Sequence, residues 1–158
     1  MMFKAAPTPL AELLTRAVTI GAYAANASEP DIMGIACQTG SDRPVALPYF
    51  SARTAHMTFR LWREGDPLEM GPFNIRQPSA NALNCEPDLL LMPLLGFDRQ
   101  LNRLGQGGGH YDRYLAAHPK AFRVGVAWSI QEIDAVPVEA TDQPLHAVLT
   151  ENEWISRQ

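Results

Sequence analysis

The sequence is poor in the residues that mark several common functions. Its two cysteines, Cys37 and Cys85, form no C-x-x-C pair, which leaves either one disulfide or two buried thiols. No secretory leader is visible at the start, so reduced thiols in a cytoplasmic protein are the expectation. The four histidines are scattered without zinc-site spacing, and a structural zinc is not expected. No Gly-Lys-Ser or Gly-Lys-Thr occurs, which removes the P-loop. Gly105 and Gly107 begin a G-x-G-x-x-G pattern, but His110 stands at its last position and removes the dinucleotide fingerprint. The apolar run from Leu89 to Leu95 is too short to span a membrane. Basic residues are also scarce: a net charge of −4 argues against a broad nucleic-acid or anionic-membrane surface. Any anion site must therefore be a local cluster of arginines. No internal repeat or low-complexity tract breaks the 158 residues, 46% of them hydrophobic, which suits a single domain over 1–158 with residues 1–8 as a loose tail.

What the sequence does contain is concentrated between Asp88 and Leu115, DLLLMPLLGFDRQLNRLGQGGGHYDRYL. Leu89 to Leu95 reads as a strand buried on both faces. A polar loop from Asp98 to Gln106 carries Arg99 and Arg103. Gly107, Gly108 and Gly109 follow, then HYDRYLAAH, which reads as a helix. Strand, loop, glycines and helix is the order in which open α/β sheets build anion sites. Backbone N–H groups point outward at the helix start, and the missing Cβ atoms let a phosphate approach. Arg103 and Arg113 flank the glycines and add charge for phosphate oxygens. Equally, the glycines could form a turn into the helix that needs only flexible backbone.

The stretch FDRQLNRLGQGGGHYDRYL resembles the signature of 5-formyltetrahydrofolate cyclo-ligases, also called methenyltetrahydrofolate synthetases. Phe97, Asp98, Arg103, Leu104, Gly105, Gly107, Gly109, Tyr111, Asp112, Arg113 and Leu115 fall on that pattern. Leu101 stands where the family has glycine. Arg76-Gln77-Pro78 stands where the family has Glu-Pro, so an amide replaces a carboxylate.

Elsewhere the chain reads as alternating elements. Thr8 and Pro9 suit the start of a helix running to Arg16, with Leu10, Leu13 and Leu14 on one face. Val18 to Ala25 reads as a strand, Ser28 to Asp31 as a helix start with Gly40 as its end, and Pro44 to Leu47 as a second strand. That βαβ unit predicts a parallel sheet. HMTFRLW alternates as a strand, with a turn at Gly65-Asp66-Pro67, and 79–87 reads as a polar connection. Arg123 to Trp128 and Ala147 to Thr150 read as strands, with an aperiodic segment, 135–144, before the latter.

The resemblance implies an α/β fold, a mostly parallel central sheet flanked by helices, similar to the sugar-phosphate isomerase and CoA-transferase-like fold. It implies an enzyme that uses ATP and Mg2+ to cyclise 5-formyltetrahydrofolate to 5,10-methenyltetrahydrofolate, releasing ADP and phosphate. Arg103 and Arg113 become catalytic cations. Arg103, Gly105, Gln106, Gly107, Gly108, Gly109, His110 and Tyr111 become the ATP site. Glu29, His110 and Tyr111 become folate contacts, and Asp112 and Asp142 become magnesium ligands. His146 stands where many members have a second aspartate. From the residues alone, Glu29 and Asp112 also suit helix N-terminal charge, and Asp142 a loop carboxylate. If both aspartates reach one ion, they are expected at the carboxyl edge of neighbouring strands. The family begins with a basic helix that reaches the ATP phosphates. Only Lys4 and Arg16 precede the first strand here, so that arm is expected to be shortened or absent. Two other readings remain: a divergent paralogue that binds a reduced folate or nucleotide without turnover, and an enzyme of the same fold acting on another phosphorylated metabolite. A monomer with a reduced folate and ATP as its small-molecule partners, and no nucleic-acid or membrane partner, is expected.

Overall fold

A computed structural model describes residues 3, 5–38, 43–105 and 108–157. Lys4, Gly40, Gln106 and Gly107 lie outside that set. The first half of the chain forms α1 (Thr8–Arg16), β1 (Ile20–Gly21), α2 (Met33–Ala36), β2 (Val45–Tyr49), β3 (Thr58–Trp62), β4 (Glu69–Met70), β5 (Arg76–Gln77) and β6 (Asn84–Cys85). The second half forms β7 (Leu89–Met92), β8 (Gly96–Phe97), β9 (Arg103–Leu104), α3 (His110–Ala117), β10 (Phe122–Val126), a 3-10 turn (Ser129–Gln131), β11 (Ala147–Leu149) and β12 (Trp154–Ser156).

Eight strands make one sheet in the order β12–β11–β10–β7–β1–β2–β3–β6. The run from β11 to β2 is parallel, while β12, β3 and β6 extend its two sides antiparallel. Alternation along the strands splits the core into two layers. Leu89 and Leu91 of β7, Val45 and Leu47 of β2, and Ala147 and Leu149 of β11 pack with Leu10 and Leu14 of α1 and Ile35 of α2. Leu90, Met92, Ala46 and Val148 face the other way, onto Tyr114 and Leu115 of α3. A parallel sheet must bury both faces, and the near-continuous apolar run of β7 supplies both. Among the described residues, no helix is long and apolar enough to cross a membrane. Cys37 and Cys85 are free thiols, so the disulfide alternative falls away.

Several elements depart from the sequence reading. The strand expected over 18–25 pairs only at Ile20–Gly21, with Ala22 adding one bond to the Ala46 carbonyl at 2.8 Å. Before it, the Val18 and Thr19 amides are taken by the Asp88 carboxylate at 3.0 and 2.7 Å, and Val18 is 83% exposed. The helix expected from Asp31 shrinks to Met33–Ala36, with the Asp31 carboxylate accepting the Met33 N–H at 3.0 Å. The connection 79–87 contains β6, which pairs with β3. The polar loop after Phe97 is the opening of a hairpin, β8 against β9.

Candidate active site

The first turn of α3 is met by Phe50, just past β2, by Arg103, which is tied to Pro93 just past β7, and by Gln143 on the segment before β11; the carboxyl ends of parallel strands are where open α/β sheets place their ligands. The signature residues do two kinds of work there. Asp98 is structural: it is 1% exposed and accepts the Gln100 and Asn102 amides at 3.0 Å and the Val136 amide at 2.9 Å. Burial pushes its carboxyl up, but the bonds from Val136, Asn102 and Gln100 outweigh that and leave it below its ordinary value. The hairpin it organises delivers Arg103 of β9.

Arg103 donates from Nε to the Pro93 carbonyl at 3.0 Å, just past the end of β7. Its guanidinium lies 4.9 Å from the centroid of the Tyr111 ring. Burial lowers its pKa, while Tyr111, Asp112 and Asp142 act in the opposite sense. The group stays charged, because a guanidinium does not lose its proton in a protein. Burial raises the Tyr111 phenol, with Arg103 opposing and the Glu29 charge adding to the rise. Glu29 also adds to the upward push that burial exerts on Tyr23. The loop after β1 and the start of α3 are therefore electrostatic neighbours. Glu29 does not bond the start of α2; the Asp31 carboxylate, one residue before the Ile32 N-cap, takes the Met33 N–H there. Glu29 Oε1 instead accepts the Asn26 N–H at 2.9 Å, inside a turn built on the Asn26 side chain.

Gly109 precedes α3 with φ 67°, in the left-handed region, so this turn needs glycine for its backbone whatever it binds. Gly105 and Gly108 flank the two undescribed positions of the loop, Gln106 and Gly107. Arg113, one turn into α3, donates to Nδ1 of His110 at 3.0 Å. Burial and then Arg113 hold His110 below its ordinary pKa, so the ring is neutral near pH 7. That ring sits 4.7 Å from Phe50 and 4.9 Å from Phe73.

Asp112 and Asp142 come within one residue of each other through the backbone: Asp112 Oδ1 accepts the Gln143 N–H at 3.1 Å. Asp142 Oδ2 accepts the Glu139 N–H at 2.8 Å. Asp142 arrives on the segment that returns to the start of β11, not from the end of a strand. Among the described residues, no group of three or more histidine, cysteine, aspartate or glutamate side chains could hold a metal. The donor set on offer is two carboxylates, each with one oxygen engaged by an amide. That fits magnesium, which takes few protein oxygens and fills its shell with phosphates and water. It does not fit zinc, which favours nitrogen and sulfur ligands.

Sequence reasoning missed three parts of this edge. Gln131 accepts the Trp128 N–H at 2.8 Å and donates to the Leu94 carbonyl at 2.9 Å, tying the ends of β10 and β7. Trp128 Nε1 donates to the Ser28 carbonyl at 2.9 Å and so anchors the Glu29 turn. Phe50 and Phe73 flank His110 from segments with no periodic signal. Only Gln77, beside Pro78, carried a mark in the sequence.

The chain is thus an open α/β protein with cationic, acidic and ring-bearing groups gathered around the first turn of α3. The sequence model of the 5-formyltetrahydrofolate cyclo-ligase family matches residues 7–151, and the chain belongs to that family. A 5-formyltetrahydrofolate cyclo-ligase of Haemophilus influenzae is 36% identical over 115 residues, covering 68% of this chain and 62% of the relative. One from Escherichia coli K12 is 38% identical over 120 residues, covering 70% and 64%. The chain thus spans less than two thirds of the length of these curated relatives. The 5,10-methenyltetrahydrofolate synthetase of Aquifex aeolicus superposes with a TM-score of 0.75 at 25% identity, over 90% of this chain and 73% of that one. The Mycoplasma pneumoniae synthetase shares the fold, with a TM-score of 0.64 at 22% identity.

Proposed function

We propose that the protein converts 5-formyltetrahydrofolate to 5,10-methenyltetrahydrofolate using ATP, with ADP and phosphate as the other products. One observation supports this beyond family membership. Arg103, tied by its Nε to the Pro93 carbonyl just past β7, lies 4.9 Å from the centroid of the Tyr111 ring, so a fixed cation stands at the start of the helix that carries Asp112. On this reading the formyl oxygen takes the γ-phosphoryl group, forming an O–P bond as the bond to ADP breaks. N10 then attacks the formyl carbon, phosphate leaves with the former formyl oxygen, and the N10 proton passes to solvent. Positioning and charge neutralisation supply most of the catalysis in such a transfer.

Arg103, a fixed cation braced by the Pro93 carbonyl and the Tyr111 ring, offsets charge on the phosphoryl oxygens. Arg113 adds a second cation while holding His110 neutral, which suits His110 to ring contact and N–H donation. The glycine loop, Gly105 to Gly109, lies against the ATP phosphates, and Glu29 contacts the folate. Asp112 and Asp142 would hold magnesium, which when bound supplies positive charge to the phosphates. The same reading makes the protein a cytoplasmic monomer with two small-molecule ligands, a reduced folate and ATP.

The test is purified protein with MgATP and 5-formyltetrahydrofolate, followed by the near-ultraviolet absorbance of the methenyl product. A steady rise is expected. No rise while both ligands bind would indicate a paralogue without turnover, and ATP binding without folate binding would indicate a different substrate.

A further inference from the structure

Gln77 is 7% exposed, and both ends of its amide are engaged by one residue. Its Oε1 accepts the Phe50 N–H at 3.1 Å, and its Nε2 donates to the Phe50 carbonyl at 3.0 Å. Phe50 is the first residue past β2, so the amide continues there the pairing that the strand has just left. The Phe50 ring lies 4.7 Å from His110 and 4.9 Å from Phe73, and Phe73 lies 4.9 Å from His110. Phe73 sits in the turn between β4 and β5, and β5 ends on Gln77 itself. That turn is tight: the Gly71 N–H donates to the Ile75 carbonyl at 2.9 Å, and Asn74 takes φ 57°. A Cβ at Gly71 would collide with the Gln77 Oε1, so glycine is what leaves room for the amide.

We propose that Gln77 is a positioning residue: its amide fixes Phe50 directly and Phe73 through the turn, and so sets the two phenyl rings against His110 as a wall for a flat ring of the substrate. Three rings in mutual contact offer edges and faces to a ring-bearing ligand, and aromatic contacts depend on geometry more than on area alone. An amide suits the task because it presents a donor and an acceptor side by side. A carboxylate could accept from the Phe50 N–H but could not donate to its carbonyl. The ligand in question rests on the functional reading above, in which a reduced folate binds here.

Gln77→Leu removes both bonds, and Gln77→Glu keeps the shape while removing the donor, which guards against a leucine variant that does not fold. Three quantities are measured in the whole chain at one pH: the His110 ring-proton shifts, identified by their loss in His110→Asn; the Kd for 5-formyltetrahydrofolate by calorimetry; and the melting temperature. In folded variants the His110 shifts should move toward those of an unstacked imidazole, and the Kd should rise by roughly ten-fold. Unchanged shifts and affinity with only a lower melting temperature would make Gln77 a purely structural residue and overturn the proposal. If the parent protein binds no folate, the functional reading fails, and the ring shifts alone still decide whether the amide sets the wall.

Discussion

At Leu101 the backbone and the side chain favour different residues. Its φ of 66° is one that glycine adopts freely, and glycine is what the family pattern has there. Its side chain is 1% exposed in the layer beneath α3, and its carbonyl accepts the Leu145 N–H at 2.8 Å. Relief of left-handed strain is worth about 1 kcal/mol, whereas deleting a buried leucine costs about 3 kcal/mol. Leu101→Gly should therefore destabilise by roughly 2 kcal/mol despite the better backbone match, as read by urea denaturation. A stabilised variant would mean that the side chain contributes little. His146 gives a second residue-scale test. Its Nδ1 accepts the Arg123 N–H at 2.9 Å, which requires a neutral ring. Burial, then Arg123 and Arg157, hold its pKa below the ordinary 6.5. The unfolded chain binds the proton more tightly, so this contribution is complete above 6.5 and is lost as pH falls toward the lowered folded value. The urea midpoint should fall between about pH 7.5 and about pH 5.5, and His146→Asn, which keeps an acceptor without titrating, should flatten that slope.

Among elements, α3 and the turn before it show what a sequence reveals and what it hides. The run Leu89–Met92, the helix from His110 and the strand after it were legible because each is long enough to carry a period or an unbroken apolar block. The hairpin of β8 and β9 was not, because two-residue strands have no period and its geometry comes from the Asp98 carboxylate gathering three amides. β6 and β12 are edge strands of two and three residues, recognisable only once β3 and β11 are there to pair with them. The same limit applied to the site. A signature can nominate Arg103 or Tyr111, but Phe50, Phe73 and Trp128 matter only through contacts made by folding. At the α3 turn, Gly109→Ala should lose roughly 1 kcal/mol of stability, because its φ of 67° strains any Cβ. That Cβ would also stand 3.0 Å from the Arg113 guanidinium and disturb its bond to His110. If phosphate approaches this backbone, ATP affinity should fall further than stability does, and Gly107→Ala should show the affinity loss as well. Unchanged ATP affinity in both folded variants would leave the glycines a helix-start turn only.

Across the whole molecule, the fold draws residues far apart in sequence to the first turn of α3, and magnesium is where that convergence is most testable. Asp112 belongs to the helix, whereas Asp142 lies on the return segment, and the bond from the Gln143 N–H to Asp112 Oδ1 joins the two. Aspartate to asparagine keeps an oxygen that can accept from that amide, so Asp112→Asn should preserve the docking of the segment while removing charge from the ion. Asp142→Asn likewise keeps the acceptor for the Glu139 N–H. Each variant should raise the magnesium concentration needed for half-maximal cyclisation, or for ATP binding where turnover is too slow to follow. If both carboxylates hold one magnesium ion, as proposed above, the ion is misplaced once either charge is gone, so the double variant should be little worse than the poorer single one. Melting temperatures of all three should stay close to the parent's, because neither carboxylate loses its amide partner. Fully additive losses would mean two independent roles, with Asp142 serving the loop around Glu139 and not the ion.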